Sequence, residues 1–321
     1  MLDTLRTAAL SNVDDLTTLR IYADALVERG DPDGERILLS IQDEFPREPS
    51  AAERVVLGRL RRAVDSCTVF RGLLWDVTLA RVTPREFTRL IGRAEWRTVR
   101  TIHFLRGVMS TTQRLPPWEC AQLVSHPVME ALRVVTGFDL RALQLLGERT
   151  KPVPLEGINV LCHHAEVGLE GPLSALPALR RLAVNGCSEA ALAALVAGPF
   201  WPQLRVLELD FARGRVPSNG LSRLLLGNGA LEYLQYGPCS AVRDADGWSL
   251  TIDGTAQWIG PLLVDLESAG HLIARATVVN RGLEDATRAA VEDAARRFHW
   301  ELHLDEVPLG YWYTVGPEPD F

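Results

Sequence analysis

Apolar residues recur in a fixed pattern in the middle of the chain. A leucine is followed three residues later by a second leucine, and two residues after that by a third apolar residue. Three clear copies are Leu179-Leu182-Val184, Leu204-Leu207-Leu209 and Leu231-Leu234-Tyr236. Because side chains alternate between the two faces of a strand, the second and third positions share one face. One such strand cannot bury its apolar face alone, so the pattern predicts parallel strands stacked over a continuous core.

The spacing of the copies is typical of leucine-rich repeats. In the first and third copies a cysteine follows, Cys187 and Cys239, which completes the form L-x-x-L-x-L-x-x-N/C. Weaker copies precede them, at Leu74-Val77-Leu79, Val99-Ile102-Phe104, Leu132-Val135-Gly137 and Leu155-Ile158-Val160. The starts are 23 to 27 residues apart, except for one step of 33 residues, which we interpret as an insertion or a longer helix from about Pro117 to Leu123.

Segments between these strands have the apolar spacing of helices. They include residues 84–91, 189–196 and 219–226. The predicted fold class is therefore α/β: a leucine-rich-repeat solenoid with a parallel sheet and convex helices, an N-terminal helical module and a C-terminal α+β cap.

The first 64 residues have the pattern of helices. Apolar residues at helical spacing from Leu16 to Val27 predict one helix, with Asp14 or Asp15 as its cap and Gly30 at the C′ position. A turn at Asp31-Pro32-Asp33-Gly34 separates it from a second helix over residues 35–45, and a third is predicted over residues 50–64.

Residues 22–35, YADALVERGDPDGE, resemble the bacterial repeat-companion domain, whose signature is roughly LVYADWLEERGDPRGEFIRLQ. The match covers about residues 1–45 and departs at Ala25 and Arg36, where that family usually has tryptophan and phenylalanine. The resemblance implies an N-terminal module of repeat proteins, without an established activity or cofactor. The residues that carry it either form a docking surface or hold a helical hairpin together by caps and salt bridges: Tyr22, Asp24, Glu28, Arg29, Gly30, Asp31, Pro32 and Glu35.

The repeat pattern ends after Cys239. Asp244-Ala245-Asp246-Gly247 predicts a turn, residues 248–252, 273–279, 300–304 and 311–315 predict strands, and residues 256–269 and 284–298 predict helices. We interpret this segment as a cap or as a small appended domain. The predicted domains are thus 1–64, the repeat-companion module; 65–240, the solenoid; and 241–321, the cap or small domain.

The concave face of such a sheet is where these proteins usually bind partners. Its predicted lining is mixed in charge with one aromatic residue, which suits a protein or peptide better than a phosphate backbone; a solvated, unoccupied face is the alternative. The lining residues are Asp76, Thr101, His103, Thr136, Asn159, Arg181, Asn185, Glu208, Asp210, Tyr233 and Gln235.

Composition narrows the function classes. The 321 residues are 47% hydrophobic and 23% charged, with a net charge of −7 and a pI near 5.6, which argues against a nucleic-acid partner. No apolar run is long enough for a membrane span, the N-terminus lacks a signal pattern, and five scattered cysteines indicate a reducing compartment. We therefore expect a cytoplasmic protein; the sequence leaves its oligomeric state open.

Few residues suggest chemistry. Cys162-His163-His164 lacks a second ligand pair, and the alternating His299, Glu301, His303 and Asp305 fit a solvated edge strand better than a metal site. There is no Walker A loop, and no cysteine follows Cys239 to act as a ligase nucleophile. We expect a non-enzymatic interaction scaffold that needs neither cofactor nor metal. The alternative is that the repeats select a target for an effector or enzyme domain at 241–321.

Overall fold

The computed structural model describes residues 2–51, 53–80, 82–104, 115–148, 152–162, 169–211, 220–254, 256–280 and 285–306. The chain is mixed α/β, so the predicted class is confirmed at that level. It forms two compact units, Met1–Leu155 and Glu156–Phe321. The predicted boundaries at residues 64 and 240 remain predictions.

The first unit begins with helices and continues into alternating strands and helices. Its α-helices are α1 (Leu2–Ser11), α2 (Leu16–Val27), α3 (Pro32–Ser40), α4 (Pro84–Thr88), α5 (Pro117–Val124) and α6 (Leu140–Gly147). Its 3-10 helices are Glu53–Arg62 and Ala94–Thr98. Its strands are β1 (Val64–Phe70), β2 (Leu73–Leu79), β3 (Thr101–His103) and β4 (Val134–Asp139).

Strands β2, β3 and β4 are parallel, and β1 pairs antiparallel with the outer edge of β2. Parallel pairing requires the chain to cross back between strands, and helices fill those connections. The residues that the repeat pattern places inside are buried: Leu74, Val77, Val99, Ile102, Leu132 and Val135 are all 0% exposed. The N-terminal helices share an apolar cluster with the first strands: Leu19 and Ile37 pack there with Phe70 of β1 and Leu73 of β2.

Three helix predictions in this unit were wrong in extent. The segment predicted over 84–91 is helical only from Pro84 to Thr88. The predicted helix at 35–45 begins at Pro32 and ends at Ser40, because Asp31 is the N-cap and accepts a hydrogen bond from the Asp33 amide at 3.0 Å. The predicted helix at 50–64 is a 3-10 segment that is broken at Gly58, which has φ 46°. The Glu95 carboxylate occupies the space where a Cβ of Gly58 would lie, and it accepts from the Arg59 amide at 3.0 Å.

Helices α2 and α3 form a closely packed hairpin. Asp15 caps α2 by accepting from the Thr17 and Thr18 amides, which confirms one of the two caps predicted there. Gly34 lies inside the first turn of α3, so the predicted turn at 31–34 is instead the start of a helix. A Cβ on Gly34 would lie 2.6 Å from the Ala23 carbonyl oxygen and 2.7 Å from the Val27 nitrogen. The absence of a side chain at Gly34 therefore sets the distance between the two helices.

The second unit alternates strands with helices. Its strands are β5 (Gly157–Leu161), β6 (Arg181–Cys187), β7 (Val206–Phe211), β8 (Tyr233–Tyr236), β9 (Cys239–Arg243), β10 (Trp248–Gly254), β11 (Ile273–Asn280) and β12 (Glu301–Glu306). Its α-helices are α7 (Glu170–Ser174), α8 (Glu189–Ala197), α9 (Gly220–Gly227), α10 (Ala256–Asp265) and α11 (Asp285–Phe298). Short 3-10 helices are Trp201–Gln203 and Gly270–Leu272.

Strands β5 to β8 are parallel and pair in chain order. Their apolar residues at the repeat positions are buried, and among them Leu179, Leu204, Leu231, Leu234 and Tyr236 are 0% exposed. The three copies that are clearest in the sequence are therefore three adjacent strands of this sheet, and each points its leucines to the same interior.

A glycine with positive φ occurs inside one strand of each unit. In β4, Gly137 has φ 68° and precedes buried Phe138; in β6, Gly186 has φ 81° and precedes buried Cys187. At each glycine the space of a Cβ is occupied by a carbonyl oxygen from the end of the preceding segment, that of Phe104 or Cys162. The repeat pattern predicted Gly137 as the third buried residue of this copy. In the structure the third buried residue is Phe138.

The segment after Cys239 extends the sheet of the second unit. Strand β9 returns antiparallel to β8, β10 pairs antiparallel with β9, and β11 and β12 follow in parallel. The predicted turn joins β9 to β10, where the Asp244 side chain accepts from the amides of Asp246 and Gly247. The predicted strand at 311–315 lies outside the described residues.

A buried carboxylate joins two helices of the second unit. Asp265, at the end of α10, is 4% exposed. It accepts from the backbone amides of Leu221 at 2.8 Å and Ser222 at 3.2 Å, and from the Ser222 hydroxyl at 2.6 Å. These amides belong to the first turn of α9, whose N–H groups have no partners within the helix. Asp265 therefore caps α9 from a distant part of the chain.

Within the described ranges, none of the helices combines the length and apolar character that a membrane crossing requires.

We expect Asp265→Ala to lower the free energy of unfolding by about 2–4 kcal/mol, since it leaves three buried donors without their acceptor. Urea denaturation followed by circular dichroism measures the change. The matched control is Glu267→Ala, which removes an exposed carboxylate paired with Arg297 at 3.1 Å and should cost at most about 1 kcal/mol. Equal effects of the two substitutions would contradict the capping role of Asp265.

We expect Gly34→Ala to destabilise the chain by about 1–3 kcal/mol, because the methyl group would collide with the backbone of α2. At freely accessible helix positions, in contrast, replacing glycine by alanine raises the free energy of unfolding. Thermal unfolding compares this variant with Glu35→Ala, at the exposed neighbouring position. A stabilising Gly34→Ala would contradict the close approach of the two helices.

Candidate functional site: two polar sheet faces

Polar side chains gather on one face of the sheet in the first unit. We call Thr68, Asp76, Thr101, His103 and Thr136 the first-unit face. Asp76 on β2 is paired with Thr68 on β1 and with Thr101 on β3. His103 on β3 is paired with Thr136 on β4, and its Nδ1 lies 2.8 Å from the Thr136 hydroxyl. The four residues predicted here therefore lie together with Thr68, which the repeat pattern did not assign to this face.

Burial determines the electrostatics of the first-unit face. It raises the pKa of Asp76, although hydrogen bonding from the Thr101 hydroxyl, the charge of His103 and the nearby Thr68 hydroxyl all act in the opposite direction. Asp76 Oδ1 and Thr68 Oγ1 are buried, and within the described ranges neither makes a hydrogen bond of normal geometry. Burial also lowers the pKa of His103, against the attraction of Asp76.

One predicted contact residue of this face cannot reach a partner. Thr101 is 3% exposed, so its hydroxyl serves Asp76 and is not part of an open surface. The alternation of strand residues places Thr101 on the same face as His103, but it could not show that a side chain this short is buried there. Asp76, His103 and Thr136 are half-buried.

The second unit carries a wider polar face on its parallel strands. We call the predicted residues of this unit the second-unit face: Asn159, Arg181, Asn185, Glu208, Asp210, Tyr233 and Gln235. All seven lie on one side of β5 to β8, and Asp210 is exposed whereas the other six are half-buried. Asn185 Nδ2 donates to Asn159 Oδ1 at 2.8 Å, which links β5 and β6 at this face.

Glu208 lies near the middle of the second-unit face. Its partners across the sheet are Ala183 on β6 and Gln235 on β8. Burial raises the pKa of Glu208, and the positive charge of Arg181 offsets part of that effect. A half-buried carboxylate with incomplete compensation is favoured by any additional positive charge that approaches the face.

Tyr233 is held beside Glu208 by a chain of hydrogen bonds. Its hydroxyl donates to Gln235 Oε1 at 3.1 Å, and Gln235 Nε2 donates to the Gly237 carbonyl oxygen at 2.6 Å. Burial raises the pKa of Tyr233, and the negative charge of Glu208 raises it further. The ring is thus tethered to Gln235, the residue that pairs with Glu208 across the sheet.

The second-unit face continues beyond the residues predicted from the repeats. Gln235 is paired with Ser240, Ser240 with Thr251, Thr251 with Thr277, and Thr277 with His303. This polar row crosses β8 to β12. Alternating residues in β10 and β11 indicated strands, but pairing partners are not encoded in alternation, so the sequence could not assign these residues to the face.

The residues of the N-terminal motif have mostly structural positions. Tyr22 is buried in the helical cluster, Gly30 has φ 69°, and Asp31 followed by Pro32 begins α3. The charged residues Asp24, Glu28, Arg29 and Glu35 are exposed on the hairpin. The geometry therefore accounts for half of the motif through caps and packing, and leaves its charges at the surface.

Buried thiols and a lack of clustered metal ligands characterise the described ranges of the chain. Burial raises the pKa of Cys120 to about 12 and that of Cys187 to about 12, so both thiols stay protonated and unreactive. No group of three or more potential metal ligands occurs in the part of the chain that the structure describes. On β12, His303 Nε2 lies 3.3 Å from Glu301 Oε1. His163 and His164 lie outside the described residues.

The raised pKa of Asp76 gives a test by pH. The folded state holds this proton more tightly than the unfolded state, so ionisation of Asp76 costs stability as the pH rises above the ordinary value of 3.8. We expect Asp76→Asn to raise the free energy of unfolding at pH above neutrality by about 1 kcal/mol. The gain should shrink as the pH falls toward the ordinary value.

Chemical denaturation at several pH values measures this gain, with Asp65→Asn as the control, because Asp65 is an exposed acid on β1. His103 acts with the opposite sign: its lowered pKa means that stability falls as the pH drops below its ordinary value of 6.5. A variant at Asp76 that is less stable than the wild type at high pH would contradict the assigned cost of burial.

No protein-family model matches this chain, and no relative was found among curated proteins. The function of the two polar faces has to be inferred from their own residues.

Proposed function

We propose that the chain is a non-enzymatic interaction scaffold that binds a protein or peptide across the second-unit face. The observation that carries the proposal is the face itself: seven polar side chains of mixed charge, one of them aromatic, in register over four parallel strands. An array of this kind offers many hydrogen-bonding groups at once but no poised nucleophile, which suits binding better than catalysis.

We propose further that the strands and helices of each unit are turns of a leucine-rich-repeat solenoid. The support is repetition of local structure: strand, buried leucines and a helical connection recur, and β4 and β6 share the glycine at which a carbonyl oxygen of the preceding segment approaches. In this arrangement the helices occupy the convex side and the polar faces the concave side. The N-terminal hairpin, by its resemblance to the repeat-companion domain, is proposed as the leading module.

Residues 241–321 are proposed as the cap of the scaffold. The support is that β9 pairs with β8 and that β10, β11 and β12 continue the same sheet, so the described part of this segment covers the open edge of β8. The alternative, an effector or enzyme domain, would favour a segment with its own sheet. A cytoplasmic location remains part of this proposal, as does the absence of a nucleic-acid partner.

The test is selection of binding peptides on the purified full chain from a random peptide library. The recovered peptides are then titrated against the wild type, Tyr233→Ala, Asp210→Arg and the control Arg223→Ala, an exposed change on α9. We expect the two face variants to weaken binding by about tenfold or more, and the control to have no effect.

Circular dichroism checks that each variant is folded. Peptides whose affinity is unchanged by both face variants, or the absence of any specific peptide from repeated selections, would contradict the proposed binding face.

A further inference from the structure

The two units differ strongly in charge. Residues 156–321 contain 21 aspartates and glutamates against 12 arginines, a net charge of −9, whereas residues 1–155 have a net charge of +2. The field of the second unit therefore attracts cationic partners and repels anionic ones. A binding partner of this unit should carry a complementary positive charge.

The charges of the second-unit face are not evenly distributed. Glu208 and Asp210 lie two residues apart on β7, and both side chains are on this face. Arg181 lies on the β6 side of Glu208, and its charge compensates only part of the cost of burying that carboxylate. The β7 and β8 part of the face is thus where an added positive charge gains the most.

Tyr233 adds an aromatic ring on the neighbouring strand β8, diagonally across from Glu208. Its ring is tethered through Gln235 to the Gly237 carbonyl oxygen, and its hydroxyl is close enough to Glu208 for the carboxylate to raise its pKa. A fixed aromatic ring next to carboxylates is the combination that recognises a cationic side chain, because the ring attracts the cation and the carboxylates bond its N–H groups.

We propose that the partner is a basic protein segment that places an arginine side chain against Tyr233, with the guanidinium directed to Glu208 and Asp210. This inference rests on the proposed function and specifies the chemistry of its partner. Arginine fits better than lysine because its planar guanidinium can stack on the ring and bond more than one carboxylate oxygen at once. Gln235 pairs with Glu208 and Asn185 pairs with Asp210, so both amide side chains lie beside the two carboxylates, where they can bond the partner's backbone.

The experiment uses a peptide recovered from the library selection and a synthetic analogue in which each arginine is replaced by citrulline. Citrulline keeps the shape of arginine and removes its charge. Fluorescence anisotropy compares both peptides on the wild-type chain, on Glu208→Gln with Asp210→Asn, on Tyr233→Phe and on the control Asp246→Asn. Asp246 is an exposed acid in the β9–β10 turn and is not a residue of the second-unit face.

We expect the selected peptides to be enriched in arginine and the citrulline analogue to bind about tenfold more weakly at low salt. The double variant should lose a similar factor with the arginine peptide and little with the citrulline peptide. Tyr233→Phe keeps the ring but loses the hydrogen bond to Gln235 that tethers it, so it should weaken binding of the arginine peptide, though by less than the double variant does. Asp246→Asn should stay within about twofold of the wild type.

The outcomes separate the two proposals. Peptides that require Tyr233 but bind equally well as citrulline analogues, or that lack arginine, would overturn the basic partner and leave the binding face in place. If no peptide depends on the face, the proposed function itself fails. An equal loss of affinity in Asp246→Asn would also overturn the inference, because it would show a general effect of net charge.

Discussion

The burial of leucine ladders is the constraint on which this structure depends. A parallel strand cannot bury its own apolar face, so Leu182, Leu207 and Leu234 reach exposures of 1%, 0% and 0% only because adjacent strands bring them together. The same constraint determines the opposite face. Since side chains alternate, every residue between two buried leucines is forced to the other side of the sheet, whatever its polarity.

The close spacing of strands in a sheet removes water from those polar side chains. Neighbouring strands lie about 4.8 Å apart, so an outward carboxylate is flanked by side chains on both sides and loses much of its water. Asp76 in the first unit and Glu208 in the second show the same consequence, a pKa raised by burial. The groups that offset the cost of burying each carboxylate differ. Threonine hydroxyls lie beside Asp76, whereas the positive charge of Arg181 acts on Glu208. The first arrangement includes the buried Thr101, while the second includes the exposed Asp210.

Most strand positions could be predicted because leucine periodicity reports burial directly. The strands β2 to β8 coincide with the seven copies of the pattern, including the weak ones. Details that depend on contacts distant in sequence could not be predicted. The carbonyl oxygen of Phe104 excludes a side chain at position 137, the Glu95 carboxylate breaks the segment at Gly58, and surrounding residues bury Thr101. None of these contacts leaves a periodic signal in the sequence.

The sheet of the second unit continues beyond the end of the leucine pattern. The chain reverses at Gly237, which has φ 56°, and β9 pairs antiparallel with β8 along residues that include Cys239 and Ala241, both 1% exposed. Strands β10 and β11 then bury Leu250 and Ile252 beside Ala276 and Val278 without leucine-rich repeats. Any residues that alternate and bury one face can extend a sheet. The polar row from Gln235 to His303 therefore belongs to the same surface as the repeats, and the chemistry available to a partner is set by the whole sheet of this unit.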